Sequence, residues 1–350
     1  MSTETYRSAL ADAMSKAMRE HDNTIIIGQG VTDFKGLFGT TSGLNELYPD
    51  RVIETPIAED SIAGICIGLA LNGMYPINTH IRADFGLLIF NQLINLAAKY
   101  RYMFGGLFEV PAMFRMIIGR SWGQGAQHSQ SLQSLLAHIP GLTVVMPSSP
   151  AAIAATYDYA ISSHRGPVVM LEHRLMYELS FESSEDTFDC DPFSSRITRK
   201  GKDLTIVATS IMSLEALRAS QVLEKMGIDV EVIDLHCVSH PDMDMIFDSV
   251  KKTGNLIVAD TSWTAFGVCA EINRVICERD PRALKKPSIS IGMAPSPCPT
   301  AKALEDVFYP SLYEIVTNAC ELVDDKNEVK SLIPEKQSMT DFYKHFRGPF

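Results

Sequence analysis

The sequence predicts an α/β protein built as two doubly wound, parallel-sheet domains. Three observations carry that prediction. Short β-branched runs alternate with helical patterns almost from end to end. The strand-like runs are too uniformly apolar for a sheet wetted on one face. The alternation then restarts after an acidic, irregular stretch, and a length of 350 residues suits two domains of roughly 150.

Taken in order, the start MSTETYRSALADAMSKAMREH has acids and helical spacing instead of a basic segment and an apolar run, so it does not read as a signal peptide. TIIIG (24–28), LTVVMP (142–147) and PVVML (167–171) read as buried parallel strands. Between them DSIAGICIGLALNG (60–73) is apolar almost all round and reads as a buried helix that Gly73 ends; NQLINLAAKYRYM (91–103) reads as a second helix. Strand-like VPAMFRMIIG runs into a glycine loop, after which SLQSLLAHIPGL resumes a helix that starts near Ser129. From about Arg196 the pattern begins again. LTIVATS (204–210) is a strand, Met212, Ala216, Ala219, Leu223 and Met226 share one helical face, Gly227 stops that helix, and IDVEVIDL (228–235) alternates as a strand. NLIVADT (255–261) and a helix over 266–278 repeat the unit. The expected division is therefore a first domain over 1–180, a linker over 181–195, a second domain over 196–323 and a polar tail over 324–350 that runs over the surface or onto a partner.

Composition narrows the function. A net charge of −11 with no basic stripe argues against nucleic acid and anionic membranes as partners. No apolar stretch reaches the ~18 residues that span a bilayer. The seven cysteines form no CxxC pair, lack zinc-ligand spacing and mostly sit in apolar runs, which reads as buried free thiols in a reducing cytoplasm.

The usual phosphate motifs are missing: there is no GxGxxG after a strand, no GxxxxGK[ST] and no GxSxG elbow. Two stretches stand out instead. In IETPIAEDSIAGICIG (53–68) a strand ends at Thr55–Pro56 and a buried helix opens on Glu59 and Asp60. Those acids either complement the helix dipole or hold a carboxylate at the carboxyl edge of a parallel sheet, where ligands bind. In GRSWGQGAQHSQ (119–130), glycines at 119, 123 and 125 let backbone approach a ligand, and His128 follows them where a strand edge meets a helix start.

Together with these, the runs DRVIETPIAED, NTHIRADFGLLIFNQLINLAAKYRYM, GQGAQHSQSLQSLLAHIPGLTVVMPSSP and PVVMLEHRLMYE closely resemble the beta subunit of the thiamine-diphosphate-dependent decarboxylating component of 2-oxo acid dehydrogenase complexes. GKDLTIVATSIMSLEALRASQVLEKMGIDVEVIDL, KKTGNLIVAD and PSPCPTAKALEDVFYPS resemble its transketolase-type C-terminal domain, so the likeness runs to about residue 323. The resemblance implies a transketolase pyrimidine-binding domain followed by a transketolase C-terminal domain. It also explains the missing cradle, because in this family an alpha chain with a GDG-type motif holds Mg2+ and the diphosphate while the beta chain supplies the pyrimidine half. No GDG occurs here. The implied assembly is α2β2, with a lipoyl acyltransferase as a further partner, a cytoplasmic location and, as a family trait, a K+ held by backbone carbonyls.

By the same resemblance Glu59 hydrogen-bonds the aminopyrimidine ring nitrogen, Phe85 packs on that ring, Ile57 lies in the backbone segment beside it, and His128 faces the reacting centre. Bland readings stand beside these: Phe85 as core, Asp84 as a turn or helix-start residue, Arg101 and Tyr102 as interface residues. The implied activity is decarboxylation of pyruvate, a branched-chain 2-oxo acid or an acetoin-like substrate with acyl transfer to lipoyl. The alternative is a two-subunit transketolase-like enzyme passing an acyl or ketol unit to a sugar-like acceptor. Three departures bear on the substrate. Gln29 and Gly30 stand where the family often has acids, Arg82 precedes the aromatic position, and Arg120 and His173–Arg174 add further basic groups. Such arginines either pair surface acids or mark an anionic ligand that Arg82, Arg120 and His128 would bind.

Overall fold

A computed structural model describes residues 3–119, 123–182, 188–323 and 333–343. The described residues form two compact units, the first holding those of 3–119 and 127–193 and the second those of 194–343 together with 123–126 of the glycine loop.

A short antiparallel pair, β1 (Thr3–Thr5) with β8 (Ser180–Glu182), brings the two ends of the first unit together. Its main sheet contains β2 (Thr24–Gly28), β3 (Val52–Glu54), β4 (Tyr75–His80), β5 (Ala112–Ile118), β6 (Thr143–Val145) and β7 (Pro167–His173). They lie in the order β3-β2-β4-β5-β7-β6 and all run parallel. Every residue of β2, β4, β5 and β7 is buried, as continuous apolar runs demand of a sheet covered on both faces. The helix Tyr6–Glu20 packs across the helix Pro150–Ser162. It starts on a reciprocal cap in which Thr5 and Ser8 each satisfy the other's backbone N–H, and it buries Tyr6, Leu10, Met14 and Met18.

The chain passes from β2 out to β3 and then returns to the other side of β2 for β4. The carboxyl ends of β2 and β4 therefore flank the topological switch point, the crevice where open α/β sheets bind ligands.

The helix expected to be buried all round is Glu59–Leu71, but it buries one face only: Ile62, Ala63, Cys66, Ile67 and Ala70 are buried while Ile65 is 51% exposed. The helix expected over 91–103 is two pieces: Asn91–Ala97 winds with the wider i→i+5 pattern, with Ala98 N donating to Leu93 O at 2.9 Å, and Tyr100–Met103 follows as one α turn. A close backbone approach lies beside this turn. A Cβ on Gly141 would lie 2.2 Å from the Ala98 carbonyl oxygen, and Lys99 Nζ bonds the neighbouring Pro140 carbonyl at 2.9 Å. The helix after the glycine loop is likewise shorter than its pattern suggests, covering Gln133–Ala137, so Ser129 lies in the loop before it.

The second unit carries β9 (Arg196–Arg199), β10 (Leu204–Ala208), β11 (Val230–Asp234), β12 (Leu256–Trp263) and β13 (Ile289–Met293). The order is β13-β12-β10-β11-β9, parallel except for the edge strand β9. Met212, Ala216, Ala219 and Leu223 are fully buried against β10 and β11 residues such as Ile206 and Val232. Residues 333–343 lie on this same unit. Tyr343 donates its hydroxyl to Glu215 Oε1 at 2.6 Å, and the Arg218 guanidinium sits 3.2 Å over the Phe342 ring. Among the described residues no helix is long and apolar enough to cross a membrane.

Candidate active site

The residues singled out from the sequence converge on the carboxyl edge of the first sheet, in loops that leave β2, β3, β4 and β5. Glu59 is the first residue of its helix, five positions past the end of β3, and is half-buried. Gln29, directly after β2, donates its side-chain amide to Glu59 Oε1 at 3.4 Å. The position where the family often has an acid therefore holds a neutral donor, and the contact falls on the carboxylate itself. Gly30 N and Thr32 N donate to the Glu54 carboxylate at 2.6 and 3.0 Å, so the last residue of β3 fixes the loop that follows β2.

Phe85 and His128 form the second pair. Phe85 lies in the short helix Ala83–Gly86 after β4, and its ring meets the His128 imidazole edge-on, centroids 5.3 Å apart and planes at 78°. Phe85 keeps 37% of its surface exposed, more than a core phenylalanine would. Ile57 is 83% exposed on the loop between β3 and the Glu59 helix. The rings and the exposed isoleucine thus offer apolar surface, and Glu59 offers a carboxylate whose second oxygen has no protein partner among the described residues.

Asp84 is only 8% exposed and makes no helix cap. Its Oδ1 accepts from Gln130 twice, from the backbone N–H at 3.2 Å and the side-chain amide at 2.9 Å. Burial pushes its carboxyl above the ordinary aspartate range, opposed by the two Gln130 donors and by the nearby Arg82 charge. Arg82 itself is 2% exposed and donates Nη1 to the Gly119 carbonyl at 3.1 Å, which puts its guanidinium beneath the glycine loop and out of solvent. Arg120 lies outside the described residues. Gly119 has φ +82°, and a Cβ there would fall 2.2 Å from the buried His173 ring, so only glycine lets the loop leave β5 over that histidine. Arg174 stacks instead on aromatic rings, 4.7 Å from the Phe38 centroid and 5.0 Å from that of Tyr177. Tyr102 stands 90% exposed, and Arg101 approaches Glu109 at 3.8 Å.

Beneath the edge lies an ion pair that sequence reading did not single out. Arg115 of β5 and Glu172 of β7 are buried and bidentate, at 2.6 and 2.8 Å, with Tyr177 donating to the same carboxylate at 2.6 Å. Arg115 also reaches Thr40 Oγ1 at 3.4 Å, below a loop in which Leu37 and Phe38 hold left-handed φ of 44° and 59°. Charged residues inside an otherwise apolar strand were the available signal; their pairing joins positions 57 apart and has no local signature. Among the described residues no group of three or more His, Cys, Asp or Glu side chains could hold a metal ion.

The chain resembles known proteins along most of its length. Residues 2–179 match the pyrimidine binding domain of transketolase and residues 194–315 its C-terminal domain. The chain is 36% identical to the pyruvate dehydrogenase E1 component subunit beta of Rhizobium meliloti, over 90% of this chain and 69% of that one. It is 34% identical to the beta subunit of acetoin:2,6-dichlorophenolindophenol oxidoreductase of Cupriavidus necator, over 89% and 95%. It is 37% identical to the mitochondrial pyruvate dehydrogenase E1 subunit beta of Bos taurus, over 89% and 88%. Among solved structures, a split gene transketolase described as an inactive beta4 tetramer superposes with a TM-score of 0.76 at 22% identity, covering 91% of this chain and 97% of that one. Transketolase from Leishmania mexicana gives 0.70 at 16% identity, covering 98% and 48%; both likenesses concern the fold. With both domains matched and relatives above 30% identity along most of its length, the chain belongs to the family of dehydrogenase E1 beta subunits, built from the transketolase pyrimidine-binding and C-terminal domains.

Proposed function

We propose that this chain is the beta subunit of a thiamine-diphosphate-dependent dehydrogenase of 2-oxo acids, and that it acts only with an alpha chain. The observation that carries this reading is the Glu59 carboxylate at the switch point, with Gln29 on one oxygen and the other open, on the same sheet edge whose loops carry the exposed Ile57 and Phe85. That donor set suits an aminopyrimidine, whose ring nitrogen needs an acidic partner and whose flat face needs an apolar one. It does not suit a diphosphate with its metal, which we assign to the alpha chain together with Mg2+. The chemistry such a cofactor supplies when bound is nucleophilic addition to a carbonyl, with storage of the electron pair that decarboxylation releases.

Within that frame the chain's own residues have separable tasks. Glu59 holds a proton at the ring nitrogen, and Gln29 keeps Oε1 occupied so that the proton is managed on the other oxygen. Phe85 and Ile57 exclude water from the ring. His128, braced by Phe85, faces the substrate and moves a proton as the acyl group leaves for its acceptor, a lipoyl arm in the reading we favour.

The test is reconstitution with an alpha chain of the same family and assay of 2-oxo acid consumption with and without a lipoyl acceptor. Glu59→Gln is expected to leave the alpha–beta assembly intact and to lower turnover by about 100-fold, the lower end of what general acid–base groups contribute. Full turnover by that variant would overturn the assignment of Glu59.

A further inference from the structure

We propose that Asp84 is a positioning residue for His128: its carboxyl latches the loop that carries the histidine to the turn that carries Phe85. The proposal rests on the reading of His128 given above. Phe85 and His128 touch through their ring edges, which alone would leave the histidine loop free to swing about that contact. One residue before Phe85 and two after His128, Asp84 and Gln130 make a second tie, with both donors of Gln130 converging on Asp84 Oδ1. The two ties form a closed four-residue frame across segments 46 positions apart, and a frame with two points of attachment fixes ring orientation where one does not.

The other oxygen of Asp84 sharpens the role. Oδ2 is buried and has no hydrogen-bond partner among the described residues, so only Oδ1 serves the latch. A carboxylate employed as a charge would have its second oxygen paired or wet, because a buried unpaired oxygen is costly in the ionised form. Burial raises the carboxyl accordingly. The geometry therefore asks for an acceptor atom and does not ask for charge. Asparagine keeps that acceptor and alanine removes it, so the two substitutions should separate.

The experiment uses the reconstituted alpha–beta enzyme, with pyruvate as donor and 2,6-dichlorophenolindophenol as electron acceptor. Asp84→Ala is expected to lower kcat tenfold or more, since roughly an ångström of misplacement can cost ~100-fold, while calorimetric affinity for thiamine diphosphate stays within about twofold. Amide hydrogen exchange over 127–130 should quicken in that variant. Asp84→Asn should restore both kcat and exchange to near wild type. Wild-type exchange and kcat in Asp84→Ala would overturn the latch, and so would an Asp84→Asn variant as impaired as the alanine. Should Asp84→Ala fail to fold, Gln130→Ala removes the 2.9 Å bond from the other side and is expected to give the same exchange signature in milder form. Its absence would overturn the proposal equally. Wild-type turnover by His128→Ala would instead sink the reading of the histidine, with the exchange data still deciding the latch.

Discussion

His80, at the end of β4, shows how a single residue next to the switch point sets a limit on the whole domain. It is 6% exposed, its Nε2 lies 2.7 Å from Asn78 Oδ1, and Asn78 in turn donates to the Ile27 carbonyl at 3.0 Å. Burial pushes the imidazole down to about 4. A histidine in the unfolded chain protonates near 6.5, so as pH falls below that value the unfolded state takes up a proton that the folded state refuses. Stability is therefore complete above pH 6.5, declines as the pH drops toward 4, and declines no further from this source below that. Between pH 7 and pH 5 the loss is about 2 kcal/mol. Urea unfolding of the wild type and of His80→Phe at both pH values should show that loss in the wild type only; parallel changes in the two proteins would assign it to other groups. At this scale the sequence offered candidates and was silent on their partners. Glu59 and His128 could be picked out because each follows a strand that local pattern reveals, whereas Phe85 follows β4, which the pattern did not reveal, and came from the family resemblance alone. Gln29 on Glu59, Gln130 on Asp84 and Glu172 on Arg115 link residues 30, 46 and 57 positions apart, which no periodicity encodes.

Among elements, those that were legible are those whose burial is uniform. Strands β2, β7 and β10 are continuous apolar runs, and a run buried on both faces can be read without knowing its neighbours. β1 and β8 escaped notice because TET and SFE are short, partly exposed and defined by pairing with each other. The tail is a third kind of case, polar in composition yet tied down by a few specific contacts. Met339 and Tyr343 are buried, and the Tyr343 hydroxyl joins Arg218 and the Leu312 N–H on the buried Glu215 carboxylate. The helix Ile211–Lys225 thus carries an acid whose ligands arrive from three places in the chain. Tyr343→Phe keeps the ring and removes one donor from a charged acceptor, which costs about 1.5–3 kcal/mol. Denaturant titration should show the second unit weakened by that amount, with limited proteolysis cutting near 339–343 earlier than in the wild type. Unchanged cleavage would mean the segment is held by its apolar contacts alone.

For the whole molecule, the decisive feature is what a chain with net charge −11 leaves uncovered. Tyr102 is 90% exposed, Met103 61%, Leu107 84% and Phe108 47%, all within one short segment. Isolated apolar residues on a surface need no explanation, but a contiguous group marks an interface. This group is also stiff, because Phe104 packs edge-on against both Tyr100 and Phe108, with centroids 5.4 and 5.0 Å apart, so little ordering entropy remains to be lost on association. On the function proposed above the diphosphate is held by a partner chain, and this segment is the surface we expect that assembly to cover. Burying a leucine contributes roughly 1.5–3 kcal/mol, so Leu107→Asp should weaken the proposed assembly with the alpha chain by roughly tenfold to 100-fold while leaving the circular dichroism and melting temperature of the isolated chain unchanged. Light scattering across a concentration series would measure the first, and titration with thiamine diphosphate should then show cofactor affinity falling in step with assembly. A Leu107→Asp variant that assembles at wild-type concentrations would place the interface elsewhere. One that assembles weakly yet binds cofactor as tightly as before would separate the cofactor site from the subunit contact, and the claim that the site needs a second chain would fail with it.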